Sequence, residues 1–434
     1  MIGVGIIGLG TVGTGTFNIL TESQSLIKQR TGLDIEVVKI AEVDLKKTKG
    51  KHVPNGIVTN DALELIKDKN VHIVVELMGG IHPAYEFITG ALNAGKWVVT
   101  ANKALLAEKG DGIFSIAERK RCEIGFEASV CGGIPVIRAI RDGLVGNKIT
   151  YMLGILNGTS NYILTKMTDE GISFDAALRD AQKLGFAEKD PTFDIEGIDA
   201  AHKLCILVRL AFSYPIGMKE VVTGGISKIQ PIDIGFAREF GYKIKLLAVA
   251  KEVNGFVEAR VEPAMIPVAH PMSSVNGVFN AVYVVGDRVG PTLFYGKGAG
   301  SEPTGSAVVS DIVDMALRME SKNLHVRIPP VYHIGKKARG AKESLVPYYM
   351  RFTAEDRPGV LSRVSGILAD YKISISAVTQ KERKEGGYVP IVMLTHGASE
   401  KNLKKAKEVI DKQSFIKGES VRIRVEEGYE GSAG

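Results

Sequence analysis

The sequence predicts an α/β protein in three units: a parallel sheet with helices on both faces, a mixed α+β unit, and a terminal βαββαβ module. Three observations carry that expectation. Short apolar runs alternate with helical runs from Ile2 to Phe126, the pattern of a parallel sheet wound with helices. From Lys148 the strand-like runs lengthen and a hairpin signal appears. A basic, proline-punctuated stretch of little periodicity, 321–346, then reads as a linker to the last module, 347–426.

Composition narrows the function classes. With 434 residues, 45% hydrophobic and 24% charged, the chain has room for two or three domains with substantial cores. The net charge of +6 is spread along the chain, with no basic, aromatic-interleaved patch, so no nucleic-acid partner is expected. Cys122, Cys131 and Cys205 are odd in number and lack metal-ligand spacing, which argues against disulfides and zinc. The opening MIGVGIIGLGTVG lacks a charged leader region, and no run reaches the ~20 apolar residues of a membrane helix. A cytoplasmic protein with no membrane partner is expected.

Ile2 to Gly8 forms the first short apolar strand. Gly8, Gly10 and Gly13 follow as Gly-x-Gly-x-x-Gly, and a helical run continues through Phe17, Leu20 and Ile27. A glycine triplet alone is weak evidence; one that closes a strand and opens a helix has the context a dinucleotide site requires. The first glycine makes the tight turn, the second admits the pyrophosphate to the backbone, and the third lets helix and strand pack closely. Gly8, Gly10, Thr11, Val12 and Gly13 are therefore candidate cofactor-binding residues. Further strands are expected at Ile35 to Ala41, His72 to Leu77, Trp97 to Thr100 and Cys122 to Phe126, with helices around Ala62 to Lys67, Ala84 to Asn93 and Ile113 to Arg119. Ligands of such sheets bind beyond the carboxyl ends of the strands, where Met78-Gly79-Gly80 and Thr100-Ala101-Asn102-Lys103 stand. Lys103 is there either a surface lysine or a group on the substrate side of the cofactor.

Glu42 follows the second strand. An acidic residue at this place accepts the ribose hydroxyls of NAD and disfavours the extra phosphate of NADP, whereas Lys46 and Lys47 could reach that phosphate. The sequence leans to NAD without deciding. Glu127 to Pro135 follows the last strand as a turn of small residues. Inward carbonyls there suit a hard monovalent cation or a close ligand approach, and a tight connection into a helix from Val136 to Leu144 accounts for the turn equally. Cys131 is either a nucleophile or a small buried hydrophobe.

In the second unit a strand from Ile149 to Leu156 ends in Asn157-Gly158-Thr159-Ser160-Asn161, a polar turn fit to cap a helix. Strands at Ile244 to Ala250 and Val257 to Val261 flank Asn254-Gly255, a hairpin signal. Val278 to Val285 and Gly290 to Tyr295 extend the mixed sheet. Gly298-Ala299-Gly300-Ser301 opens a helix from Pro303 to Met319, a start that is an anion site or a plain cap. The densest chemistry lies in 185–203, GFAEKDPTFDIEGIDAAHK. It begins as an acid-rich turn broken by Pro191. It becomes helical after Gly197, where Ile198, Leu204, Cys205, Leu207, Val208, Ala211 and Phe212 lie at helical spacing. Asp199 and Lys203, four apart, share a face. They form either an exposed ion pair, worth roughly 0.3–0.5 kcal/mol, or a lysine at the core edge beside its carboxylate. In the last module the helix after Arg357-Pro358-Gly359 puts Val360, Leu361, Val364, Ile367 and Leu368 on one face, and the tail from Glu427 is expected to fray.

These motifs, in this order, resemble the homoserine dehydrogenase family over roughly residues 1 to 320: ANKALLA at the fourth strand, Asn157-Gly158-Thr159, GFAEKDPTFDIEGIDAAHK and Gly298-Ala299-Gly300. Asp356-Arg357-Pro358-Gly359-Val360-Leu361 resembles the turn of an ACT domain. The resemblance implies a Rossmann-type dinucleotide-binding domain over 1–135 with a return helix at 303–320, a catalytic and dimerisation domain over 136–302, and a ferredoxin-like ACT regulatory domain over 347–426. It implies NAD(P)-dependent interconversion of L-homoserine and L-aspartate 4-semialdehyde in threonine and methionine biosynthesis, by a homodimer or homotetramer. Lys203 matches the family's acid/base lysine and Lys103 its second active-site lysine. Glu188, Asp199, Asp194 and Thr159 match the substrate side. Glu42, Thr100, Lys103, Gly185, Glu188 and Gly300 match the cofactor side, and Glu127, Val130, Gly132 and Ile134 match a sodium-binding loop. The ACT-like turn implies an amino-acid effector, with threonine, a pathway product, as the expected one. There is one departure. Many members carry an arginine near Val43 that can hold the 2′-phosphate of NADP, and this chain does not.

Reducing an aldehyde requires a hydride at carbon and a proton at the developing alkoxide, and a lysine ammonium supplies both the proton and electrostatic stabilisation. An ordinary lysine pKa of about 10.4 suits the acid, and burial is expected to lower it toward working pH. Carboxylates such as Glu188 and Asp199 are expected to bind the substrate ammonium and orient Lys203. Two other readings compete. An acylating aldehyde dehydrogenase would form a thioester at Cys131 and leave the Lys203 stretch idle. A nucleotide sensor with an amino-acid-binding module would use none of these side chains chemically. The terminal module, with its own helix face and linker, is expected to fold separately from the catalytic body.

Overall fold

Parallel strands cannot be joined by a tight turn and need a crossover, which the helices between the short apolar strands of the first unit supply. The computed structural model describes residues 1–44, 53–253, 255–321, 337–338, 345–381 and 387–428. Lys46, Lys47, Asn254, most of the expected linker and the end of the tail lie outside them. Six strands, β1 (Ile2–Ile7), β2 (Ile35–Ala41), β3 (Val58–Thr59), β4 (Ile73–Glu76), β5 (Trp97–Thr100) and β6 (Ile124–Gly125), form a parallel sheet in the order β3-β2-β1-β4-β5-β6. β3 was not expected; it has no apolar run and exists only as two residues paired to the end of β2. The helix expected from Ile113 begins at Lys103 and runs to Lys120, because Asn102 caps it there. A helix from Ser301 to Glu320 returns to pack on the Thr11–Glu22 helix so closely that a Cβ on Gly305 would lie 2.8 Å from the Gly15 backbone.

The second unit contributes β7 (Ile149–Ile155), β8 (Val222–Thr223), β9 (Tyr242–Val253), β10 (Phe256–Pro267), β11 (Phe279–Gly286) and β12 (Gly290–Lys297). The order β12-β11-β7-β9-β10 is antiparallel throughout. β9 and β10 outrun the expected ranges. Lys245, Glu258 and Arg260 interrupt their apolar pattern, yet all three are buried. The helix expected over Val136 to Leu144 is a single turn, Val136–Arg138, followed by a wider turn to Gly143.

Two short pieces of the expected linker are strands: β13 (Lys337–Ala338), beside β10, and β14 (Leu345–Val346). The terminal module follows with β15 (Tyr348–Glu355), β16 (Ile375–Thr379), β17 (Tyr388–Thr395), β18 (Ala398–Ser399), which pairs with β14, and β19 (Val421–Val425). With the Val360–Asp370 and Glu400–Asp411 helices it makes the ferredoxin-like βαββαβ fold, order β19-β15-β17-β16. Tyr348, Met350, Phe352, Val364, Leu368 and Leu403 give the module its own core.

The module is not separate from the catalytic body. β19 pairs in parallel with β10, so one sheet runs through both. The alternate residues of β15 face the second unit: Tyr349 Oη donates to Asp233 Oδ1 at 2.9 Å, and Arg351 Nε to the same oxygen at 2.7 Å. Arg260 of β10 donates to Glu400 of the module at 3.0 Å. The shared sheet runs against the expectation of separate folding, and Asp233 takes its cationic partner, Arg351, from the module, whereas Arg260 also has Glu258 and Glu262 of β10 beside it. Among the described residues no helix is long and apolar enough to cross a membrane.

Candidate active site

Two strand ends and one central helix converge. At the end of β4, the wholly buried Glu76 accepts from Thr100 Oγ1 at 2.7 Å and from the Met78 and Gly79 N–H groups at 2.9 and 3.2 Å. Thr100 Oγ1 accepts in turn from the Asn102 N–H at 3.0 Å, and Asn102 Oδ1 caps the Leu105 N–H at 3.2 Å. This chain of contacts sets Lys103 as the first residue of its helix. Beyond β7, Asn157 caps the Gly158–Glu170 helix by accepting the Ser160 N–H at 2.8 Å. Between them runs the Ile198–Phe212 helix, buried along nearly its whole length, as expected of a central helix.

That helix brings Asp199 and Lys203, 3% and 8% exposed, to the convergence. Lys203 Nζ donates to Asp199 Oδ2 and to the Leu156 carbonyl, both at 2.7 Å. Lys103 Nζ, on the more exposed side, lies 3.0 Å from Asp199 Oδ1. Asn157 Nδ2 donates to Asp199 Oδ2 at 2.8 Å and to Asp194 Oδ1 at 2.7 Å. Asp199, expected to meet the substrate, is thus occupied by Lys203, Lys103 and Asn157. Asp194 Oδ2 accepts no hydrogen bond among the described residues.

Burial alone would raise the Asp199 carboxyl, but the charges of Lys203 and Lys103 and their hydrogen bonds outweigh it and hold the group below the ordinary carboxylate range. Burial would likewise lower Lys203; the adjacent Asp199 overcomes it and holds the ammonium above the ordinary lysine value. The expected lowering of Lys203 toward working pH is therefore overturned: the pair stays ionised. Asp194 is raised by burial, against the hydrogen bond from Asn157. Glu188 is exposed on the loop after Gly185, its carboxylate without a partner among the described residues. Thr159 Oγ1 donates to the Phe186 carbonyl at 2.6 Å and ties that loop to the cap.

The glycine turn has the shape a pyrophosphate needs. Gly8 sits at φ 93°, and a Cβ on Gly13 would lie 2.1 Å from the Gly8 carbonyl oxygen, whereas nothing lies within 4 Å of that position at Gly10. Thr11 and Val12 open the helix beside this free face. Ser301 Oγ donates to the Thr11 carbonyl at 2.8 Å, bringing Gly300 beside the same turn. Glu42 is buried; its Oε2 accepts from the Leu9 N–H at 2.7 Å and its Oε1 from the Asp44 N–H at 3.0 Å. It holds the glycine turn to the end of β2.

In the small-residue turn, Cys131 and Gly132 are both left-handed, at φ 56° and 46°. The Glu127 carboxylate caps the Ile137 and Arg138 N–H groups at 2.8 Å each, and burial together with Asp311 pushes it up to about 7 against those bonds. Carbonyl oxygens are the donors a hard cation takes. Those of Val130 and Gly132 accept no hydrogen bond among the described residues, while Ile134 O accepts from the Val136 N–H at 2.7 Å and Glu127 O from the Val130 N–H at 3.4 Å. Cys131 is buried, its thiol pushed up to about 11 by that burial, which opposes a thioester mechanism. Sequence reasoning missed Glu76, the Leu156 carbonyl and the double contact of Asn157; a lone charge ending an apolar strand was the signal for Glu76.

A homoserine dehydrogenase NAD-binding domain model matches residues 8–127, a homoserine dehydrogenase model 135–313 and an ACT domain model 348–415. The chain is 43% identical over 431 residues to a homoserine dehydrogenase of Pseudomonas aeruginosa, covering 98% of each. It is 45% identical to the crystal structure of a homoserine dehydrogenase from Thiobacillus denitrificans, with a TM-score of 0.92 and 98% of each chain covered. A hyperthermophilic archaeal homoserine dehydrogenase in complex with NADPH is 27% identical, with a TM-score of 0.62, and covers 73% of this chain and 98% of its own.

Proposed function

The chain belongs to the homoserine dehydrogenase family, and from that premise we propose that Lys203 is the group that gives and takes the substrate proton. The enzyme is an NAD(P)-dependent oxidoreductase acting on a CH–OH group; it interconverts L-homoserine and L-aspartate 4-semialdehyde. The observation that carries the assignment is a buried ammonium 2.7 Å from Asp199 at the convergence of the two strand ends. In reduction this ammonium protonates the alkoxide as it forms; in oxidation the neutral amine takes the hydroxyl proton. The nicotinamide cofactor, when bound, accepts or supplies the hydride. Lys103 balances Asp199 from the open side and stabilises charge on the substrate oxygen. Asp194, with an oxygen to spare, receives the substrate ammonium, and Glu188 and Thr159 line the approach.

Gly8, Gly10, Thr11, Val12 and Gly13 would hold the cofactor pyrophosphate, with Thr100, Gly185 and Gly300 around it. NAD is favoured over NADP, because Glu42 opposes a 2′-phosphate and no arginine stands at Val43. The carbonyls of Glu127, Val130, Gly132 and Ile134 would hold a sodium ion. The setting is cytoplasmic, in threonine and methionine biosynthesis, and the assembly a homodimer or homotetramer. The ACT domain binds an amino-acid effector, threonine, at a cavity of about 400 Å³ lined by Glu355, Asp356, Arg357, Gly359 and Gln380. Homoserine oxidation assayed with NAD and with NADP, each titrated with threonine, tests these assignments. A higher kcat/KM with NADP would remove the NAD assignment, and an unchanged rate with no bound threonine would remove the effector.

A further inference from the structure

Asn157 stands between two carboxylates that would otherwise repel each other. It is 6% exposed. Its Oδ1 accepts the Ser160 N–H at 2.8 Å, the work of a helix cap, and serine or aspartate would do that equally well. Its Nδ2 does something those residues cannot. An amide nitrogen carries two hydrogens, and here one goes to Asp199 Oδ2 at 2.8 Å and the other to Asp194 Oδ1 at 2.7 Å. Nearby residues hold the same two helices: the Leu156 carbonyl accepts from Lys203 Nζ at 2.7 Å, and Ser160 Oγ donates to the Asp194 carbonyl at 2.9 Å.

We propose that Asn157 is a positioning residue that fixes Asp194 at a set distance from the Asp199–Lys203 pair. The substrate carries an amino group at one end and the reacting hydroxyl at the other. The carboxylate that receives the first and the ammonium that serves the second must therefore keep one spacing. Asp194 lies on the short Thr192–Ile195 helix and Lys203 on the next helix, with Gly197 as the joint. Asn157 spans that joint from a third element. Without its two N–H groups, the facing oxygens of Asp194 and Asp199 lose their shared donor, and Asp194 is free to turn away. This inference rests on Lys203 as the acid/base group.

Asn157→Ser keeps a capping oxygen and removes both N–H groups. A folded Asn157→Ser enzyme, with a melting temperature near that of the wild type, is expected to show a raised KM for homoserine and a lowered kcat. Its KM for the cofactor should be unchanged, and its kcat/KM for homoserine reduced by about 10- to 100-fold, the range for a small misplacement of reacting groups. If that variant fails to fold, Asn157→Thr, which also caps and adds no charge, is measured instead and judged in the same way. A folded variant with unchanged kcat and KM for homoserine overturns the proposal and leaves Asn157 a cap alone. Lys203→Ala, assayed in parallel, separates the two claims. Full turnover without Lys203 removes the acid/base reading and this proposal with it, whereas an inactive Lys203→Ala beside unaffected Asn157 variants removes this proposal only.

Discussion

Lys203 Nζ and Asp199 Oδ2 meet at 2.7 Å, four residues apart on a helix that is buried along nearly its whole length. On a surface this spacing would be worth a few tenths of a kcal/mol. In the interior neither charge is tolerable alone: Asp199 keeps Lys203 ionised, and Lys203 together with Lys103 keeps Asp199 ionised.

The pH dependence of the two reaction directions follows. A lysine held above its ordinary value of 10.5 is an ammonium at neutral pH and ready to protonate an alkoxide. Oxidation needs the amine, so its kcat/KM should climb with pH through the neutral and alkaline range, while that of reduction should fall at the alkaline end. Asp199→Asn removes the charge that overcomes burial, so the climb should begin at lower pH. Rate profiles of wild type and variant check this; coincident profiles would contradict it.

Removing the terminal module should damage the catalytic body. Asp233, wholly buried, would lose Tyr349 and Arg351, while Arg260 would lose Glu400 but keep Glu258 and Glu262. Stripping one partner from a buried pair costs about 3–5 kcal/mol. A chain ending at residue 344 is expected to melt well below the full-length protein, and Arg351→Met in the full chain should move in the same direction. A truncated chain with an unshifted melt would show that these pairs contribute nothing.

Cys131→Ser should keep most of the activity. The thiol is buried and pushed up to about 11, and hydride transfer to an aldehyde carbon needs no sulfur. Steady-state kinetics of the folded variant decide; complete loss of turnover would revive the thioester mechanism.

Legibility in the sequence followed local physics. The strand–glycine–helix context of Gly8 to Gly13 was readable because each glycine has a local steric task. β3 was not, since two residues without an apolar run are a strand only by virtue of β2. β9 and β10 continued past their expected ends because residues such as Lys251, Glu252, Glu262 and Pro263 break the apolar run, and only pairing with the other strand holds them in the sheet. At the site, the spacing of Asp199 and Lys203 was visible. Their burial was not, nor was the close contact by which Asp199 outweighs that burial and raises Lys203. Asn157 read as a cap because capping is local, while its bonds to Asp194 and Asp199 span 37 and 42 positions. Glu42 read as a ribose acceptor because its bond to Leu9, 33 positions back, has no sequence signal.

The proton-transfer role of Lys203 is tested most directly by single-turnover oxidation of homoserine by Lys203→Ala with cofactor in excess. Asp199 keeps Lys103 and Asn157 as partners in that variant, so the chain should still fold and bind cofactor. The hydride-transfer rate should then fall by about 10²–10⁴, the range for losing a positioned acid/base group. A folded Lys203→Ala enzyme that reduces its cofactor at the wild-type rate would contradict that role.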